Sequence, residues 1–245
     1  MSASRARSGV RDFSSPATTP ATASRSGWAT SASARRSASG TSRGTSGRSA
    51  SRAALDAPLV YQPYSRLVID ANRDPVRADS IPLRSEATDV PGNKGLTQHA
   101  RELRRVEIFE PYHAAIRAEL DARAARGVDT LYVSVHSFTP VYLGDARRWQ
   151  AGVLWRSDRA FAELLLEGLR REPGLEVGDN QPYSLQSDVD YSVPVHADTR
   201  GLSNVLLEIR QDEITSEAQQ AAWANRLLPL LHEAAAVLHG TRKIA

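Results

Sequence analysis

Leu131-Tyr132-Val133-Ser134-Val135-His136-Ser137-Phe138-Thr139-Pro140 is the stretch on which the reading of this chain turns. Thr130 to Val135 is β-branched, aromatic and apolar, with Gly127 before it and Pro140 after, so it reads as a short buried strand. His136 closes that strand. The C-terminal edge of a buried strand is where open α/β sheets place ligands and catalytic groups, and neutral imidazole is the commonest transition-metal ligand. A core histidine bonded to a backbone carbonyl is the plainer alternative, and spacing alone leaves both open.

Outward from this strand, apolar runs alternate between the two periods. Leu59-Val60-Tyr61 and Arg66 to Asp70 read as short strands separated by Pro63. Residues 71–95, with Pro75, Pro82, Pro91, Gly92 and Gly95, read as a long loop. Thr97 caps a helix whose apolar stripe is Leu103, Val106, Phe109, Tyr112, Ile116 and Leu120; Pro111 can kink it and Gly127 ends it. Trp149 to Trp155 is a second apolar stretch. Ser157 or Asp158 caps a helix running to about Arg171, and Leu175-Glu176-Val177 is a short strand. Ser203 to Ile209 is a buried strand. Ser216 caps a last helix with Trp223, Leu227, Leu231 and Leu238 on one face, ending at Gly240. The alternation predicts an α/β fold, a three-layer α/β/α sandwich around a mixed sheet. No internal repeat is present.

Composition removes several classes of function. The chain has 245 residues, enough for one α/β domain with a full core. It has no cysteine, so disulfides, thiolate metal sites and cysteine nucleophiles are excluded, and any metal must be held by nitrogen and oxygen. No apolar stretch is long enough to span a bilayer. The net charge of +3 conceals two unlike regions: residues 1–54 carry nine arginines against Asp12 alone, whereas the remainder carries 22 basic and 27 acidic residues. The domain itself is mildly acidic, which argues against a nucleic-acid-binding face.

Three words then occur in order: His136-Ser137-Phe138-Thr139-Pro140, Gly178-Asp179-Asn180-Gln181-Pro182-Tyr183-Ser184 and Leu207-Glu208-Ile209-Arg210-Gln211-Asp212. Together they resemble the N-formylglutamate amidohydrolase family, from about Leu55 to about Leu238. Gln181 is a departure, standing where that family is expected to carry Glu. The resemblance implies a zinc-dependent amide hydrolase with a fold like the zinc carboxypeptidases and aspartoacylases, acting on N-formyl-L-glutamate in the cytoplasm as a step of histidine catabolism. His136 would be a metal ligand. Glu208, a carboxylate inside an apolar strand and therefore costly to bury without a purpose, would be the general base. An ion pair with Arg210, on the same sheet face, is its structural reading, and the two readings do not exclude each other. Asp70-Ala71-Asn72-Arg73 follows an apolar run and is similar to the DxNR word of the same enzymes, in which Asn and Arg hold the substrate's carboxylate. The planar guanidinium suits that task in a way lysine does not. Asp179, Asn180 and Tyr183 would shape a substrate loop, although Asn and Asp are also ordinary turn formers. His196 and Arg210 complete the substrate-binding candidates. His113 reads as packing, and His99, His232 and His239 as surface. The partner expected is a small-molecule carboxylate, with no membrane and no nucleic acid. There is no HExxH, GxSxG or phosphate-binding glycine loop.

Residues 1–52 stand apart as a low-complexity leader, with the domain at 53–245. Forty-seven of residues 1–54 are Ser, Ala, Arg, Thr or Gly. Such a stretch cannot bury enough surface to offset its ordering entropy. A disordered basic tail, an organellar transit peptide and translation in the wrong frame all fit it. The genetic code favours the third. Read one base earlier, Thr41 to Arg48 permit HIAWDIGA and Ala17 to Arg25 permit CDHASNRVP, words similar to that family's N-terminal region and its first metal-binding segment. On this reading a metal ligand is missing from the chain as it stands. Two descriptions of function follow: an active zinc amidohydrolase, or a catalytically impaired, non-enzymatic remnant of the family. A nucleic-acid binder using the arginine-rich leader is a weaker third.

Overall fold

A computed structural model describes residues 28–33, 57–186 and 189–242. At its centre lie β5 (Leu131–Phe138) and β10 (Ser203–Arg210), which pair in parallel over eight residues, from Leu131 beside Ser203 to Phe138 beside Arg210. Both strands are buried almost end to end, because both of their faces are covered, and their polar residues are therefore buried too. Around them run β1 (Trp28–Ser33), β2 (Leu59–Gln62), β8 (Ala151–Leu154) and β9 (Val177–Asp179), giving the order β2-β1-β5-β10-β8-β9. Only the β10–β8 pair is antiparallel, so the sheet is mixed, as expected. Two small ribbons lie outside it, β3–β4 (Arg84–Ser85 with Thr88–Asp89) and β6–β7 (Val141–Tyr142 with Asp145–Ala146).

The helices make the outer layers. On one face, Val133, Val153, Val205 and Leu207 pack against α3 (Arg159–Arg170) and α4 (Glu217–Arg242). In α3 the buried residues Phe161, Ala162, Leu165, Leu166 and Leu169 follow helical spacing, and Asp158 is the cap, accepting the N–H of Phe161 at 3.1 Å. Helix α4 opens on a reciprocal cap: Ser216 Oγ accepts the N–H of Gln219, and Gln219 Oε1 accepts the N–H of Ser216. On the other face, Tyr132, Leu154 and Leu206 meet Tyr112, Ile116 and Leu120 of α2 (Glu110–Ala125). The three-layer α/β/α architecture stands. No helix among the described residues is long and apolar enough to cross a membrane.

Several boundaries differ from the sequence reading. Arg66 to Asp70 is not a strand, and 66–68 is a turn: Ser65 accepts the N–H of Leu67 on its hydroxyl and that of Val68 on its carbonyl, which curls the chain before it can extend. Strand β5 continues three residues past Val135, so His136 lies within it. The stripe expected from Leu103 begins only at Phe109, while Leu103 and Val106 are 41% and 48% exposed. The cause is a π-helical turn, Arg105–Phe109, joining α1 (Gln98–Arg104) to α2, in which Glu110 donates to the carbonyl of Arg105. The extra residue rotates everything before it by roughly 100° off the buried stripe. Helix α4 runs past Gly240 to Arg242. The leader contributes β1, between β2 and β5; its other residues, and with them the question of reading frame, lie outside the described ones.

Candidate active site

Register brings the two principal candidates together. Glu208 of β10 is the Cα partner of His136 on β5, so their side chains leave the same face of the sheet side by side. They are 2% and 5% exposed. Ser134, two residues before His136 and on the same face, places its Oγ 3.0 Å from His136 Nε2 and so fixes the ring. A carboxylate and an imidazole set next to each other in a dry layer are suited to moving a proton.

The floor beside Glu208 is made of glycine. Gly152 of β8 is the Cα partner of Glu208, and Gly178 of β9 is the partner of Gly152. A Cβ on Gly152 would stand 2.1 Å from the carbonyl oxygen of Gln181, and one on Gly178 would meet Gln181 at 2.6 Å. The Gln181 peptide therefore lies directly on this pair, which only glycine allows. The segment 179–184 is thereby drawn across the sheet next to Glu208. Its polar side chains are largely taken up in holding it there. Asp179 Oδ1 accepts the indole N–H of Trp155 at 2.7 Å, and Asn180 Oδ1 accepts the backbone N–H of Trp155 at 2.9 Å. Alternation puts Asp179 on the face opposite Glu208. Tyr183 stays with the site, its hydroxyl accepting a hydrogen bond from Arg147 Nη1 at 2.7 Å.

Arg210 is a rivet. Its Nη1 donates to the carbonyls of Arg147, Arg148 and Trp149 at 3.0, 3.2 and 3.3 Å, and its guanidinium pairs with Asp212 and Glu213. The ion pairs of Arg210 thus run to Asp212 and Glu213. What Arg210 fixes is the backbone of Arg147, whose guanidinium lies over the rings of Tyr142 and Tyr183, 4.7 Å from each centroid, and 5.7 Å from that of Phe138.

The Asp70 to Arg73 word is built into a second brace. Asp70 accepts the N–H of Asn72 and pairs with Arg66. Asn72 is buried. Its Oδ1 accepts the N–H groups of Tyr191 and Ser192 at 3.1 and 2.9 Å, and its Nδ2 donates to Asp190 at 2.5 Å. The Arg73 guanidinium donates to the carbonyl of Asn72 at 2.8 Å and stands 3.7 Å from Asp79 and 3.8 Å from Asp190. Beneath this word, His113 Nε2 lies 2.9 Å from the carbonyl of Ala71 and His113 Nδ1 lies 2.7 Å from His196 Nε2. A carbonyl only accepts, so His113 carries its proton on Nε2, and His196 donates from Nε2 to His113 Nδ1. His196 Nδ1 is then a buried acceptor without a partner among the described residues. Burial, followed by the charge of His196, pushes His113 down to about 3. Burial, followed by Arg200 and Arg117, pushes His196 down to about 4.

His136, Glu208 and Tyr183 thus gather on one face, with Arg210 anchoring the backbone beside them. Asn72, Arg73 and His196 form a separate hydrogen-bonded unit, and Asp179 and Asn180 turn to Trp155. His196, for which a surface loop was the alternative, is fully buried, and His113 is its partner in addition to packing. Sequence reasoning passed over Arg147, Tyr142 and Gly152, and gave no role to Phe138 and Gly178 although both stand in the quoted words. Leu143-Gly144 between Val141-Tyr142 and Asp145-Ala146 was a hairpin signal that places Arg147 just past a turn. Among the described residues no group of three His, Asp or Glu side chains could hold a metal ion.

The profile of the N-formylglutamate amidohydrolase family matches residues 12–215, so the matched span begins inside the leader. No curated protein matches. Among solved structures, the chain is similar to the gene product Atu2144 from Agrobacterium tumefaciens, with a TM-score of 0.78 and 30% identity over 88% of this chain and 92% of that one. It is also similar to an N-formylglutamate amidohydrolase from Ralstonia eutropha JMP134, with a TM-score of 0.56 and 17% identity over 86% of this chain and 94% of that one.

Proposed function

The chain belongs to the N-formylglutamate amidohydrolase family, a family of hydrolases, and from that premise we propose that it cleaves the amide of an N-acyl amino acid, with N-formyl-L-glutamate as the substrate and formate and L-glutamate as products. The observation that carries the reading is the pairing of Glu208 with His136 on adjacent parallel strands, both buried on one face.

Glu208 is the general base. It takes a proton from the attacking water as the new C–O bond forms at the formyl carbon. It returns that proton to the nitrogen as the C–N bond breaks, so the leaving group departs as an amine. Ser134 keeps the His136 ring in one orientation, and the Gln181 peptide, seated on Gly152 and Gly178, closes the side of the site next to Glu208. A zinc ion, when bound, supplies polarisation of the carbonyl and a more acidic water, and His136 is the residue of this chain that would hold it. A zinc site needs about three protein ligands. The described residues do not complete that set.

Glu208→Gln tests the reading. It is nearly isosteric and removes the base, so kcat should fall by at least about a hundredfold with the fold intact. A Glu208→Gln protein that is folded and as active as its parent on N-formylglutamate ends the assignment.

A further inference from the structure

An acidic substrate needs a cation that is not already spoken for, and the arginines near the proposed site differ in this respect. Arg73 is flanked by Asp79 and Asp190, and Arg210 by Asp212 and Glu213. Arg147 has no carboxylate partner among the described residues; its charge faces aromatic rings. We infer that Arg147, boxed by Phe138, Tyr142 and Tyr183, receives the side-chain carboxylate of an acidic N-acyl amino acid; the inference rests on the hydrolase reading above and names what sets its specificity.

Four features place and shape this cation. Phe138 is two residues beyond His136 on β5 and shares its face, about 7 Å further along the strand. Tyr183 follows Gln181, whose peptide lies against Gly152, the register partner of Glu208. Arg147 is therefore tied on one side to the strand of His136 and on the other to the loop beside Glu208. Its backbone is held at both ends, since its N–H donates to Pro140 O at 2.8 Å and its carbonyl accepts from Arg210 at 3.0 Å. Rings covering the face of a guanidinium leave its N–H edge for hydrogen bonding, and among the described residues one of the five N–H groups is used, by Tyr183. A planar, pre-oriented fork of this kind binds a carboxylate in two places at once. It also explains why the box is aromatic: an acid beside Arg147 would compete with the substrate for the same edge.

The test compares N-formylglutamate with N-formylglutamine, which differ by the charge of one terminal group, using the full-length chain. Arg147→Met should lower kcat/KM on N-formylglutamate by at least about tenfold, the scale of one charge-assisted hydrogen bond. It should leave N-formylglutamine nearly unchanged. Arg147→Lys should fall between, and it carries the test if the Met variant does not fold by circular dichroism. Equal losses on both substrates, or no loss on either, overturn the assignment. Calorimetric binding of N-formylglutamate and N-formylglutamine is measured alongside. If the parent hydrolyses neither compound, the hydrolase reading fails separately. Tighter binding of N-formylglutamate, lost in Arg147→Met, then still supports the clamp, and binding of neither compound or without preference sinks it.

Discussion

The stacked pair His113–His196 makes stability depend on pH in a window where few other groups act. Both rings are buried, at 1% and 0% exposure, and their pKa values are pushed down from 6.5 to about 3 and about 4. Arg117 and Arg200 add to the penalty for charging them. The folded protein holds both rings neutral, whereas the unfolded chain takes up protons as soon as pH drops through about 6.5. The unfolded state therefore binds more protons between about pH 6.5 and 4, and stability present above that window is lost as pH falls through it. Each group contributes at most ~1.4 kcal/mol per pH unit there, so going from pH 6 to pH 5 should cost roughly 2 kcal/mol for the pair. That is a large part of a typical domain's stability of roughly 5–15 kcal/mol. Carboxylates with lowered pKa such as Asp79 act in the same direction but below this window. Urea denaturation at pH 5, 6 and 7 measures the slope. His196→Gln keeps an N–H that can reach His113 Nδ1 and does not titrate, so it should halve the slope, and His113→Gln should do the same. Equal stability of the parent at pH 7 and pH 5, or an undiminished slope in both variants, refutes the account.

Two further outcomes follow from contacts and composition. Gly152→Ala drives a Cβ into the Gln181 backbone at 2.1 Å, whereas Gly168→Ala in α3 meets only the Leu230 side chain at 2.4 Å. The first should cost about 1–3 kcal/mol and much of the activity, and the second should be milder because Leu230 can turn and the helix gains about 1 kcal/mol of propensity; thermal unfolding in which Gly168→Ala loses more would contradict this. For zinc, the protein should hold less than one equivalent, and replacing residues 17–51 by the one-base-earlier reading should restore it. Elemental analysis finding tight equimolar zinc in the unaltered protein would show that no ligand is missing.

The fold was legible where burial is two-sided. The mainly apolar runs at 131–135 and 205–209, broken only by Ser134 and Glu208, read as covered strands, and α3 and α4 declare their inner faces by spacing and their starts by caps. It was misread where a local hydrogen bond outweighed propensity. Ser65 curls Leu67 and Val68 into a turn despite their β-branched neighbours. The π-turn at Arg105–Phe109 inserts a residue that no periodicity announces, so Leu103 and Val106 fall off the stripe. Composition set the leader apart, yet Trp28–Ser33 pairs with β2 and β5. The reason is that a sheet position is filled by backbone hydrogen bonds, which small residues supply as well as large ones.

The same physics divides the residues of the three words. A polar side chain in an apolar setting signals that its burial has a purpose, but not whether that purpose is chemistry or the satisfaction of buried backbone. Asn72, Asn180 and Arg210 bind N–H or carbonyl groups of segments distant in sequence, so they shape loops. Glu208 and His136 lie next to each other instead because two strands share a register, a relation between residues seventy-two positions apart that spacing along the chain does not encode. Arg147 is the converse case. Nothing around it looks like a motif, and its significance comes only from what the fold withholds, a carboxylate partner, and from what it supplies in its place: Phe138 from the histidine strand and Tyr183 from the loop seated beside Glu208. The aromatic faces and the Arg210 rivet hold this partly exposed cation in one place, and that arrangement is useful to a protein whose substrate brings the missing negative charge.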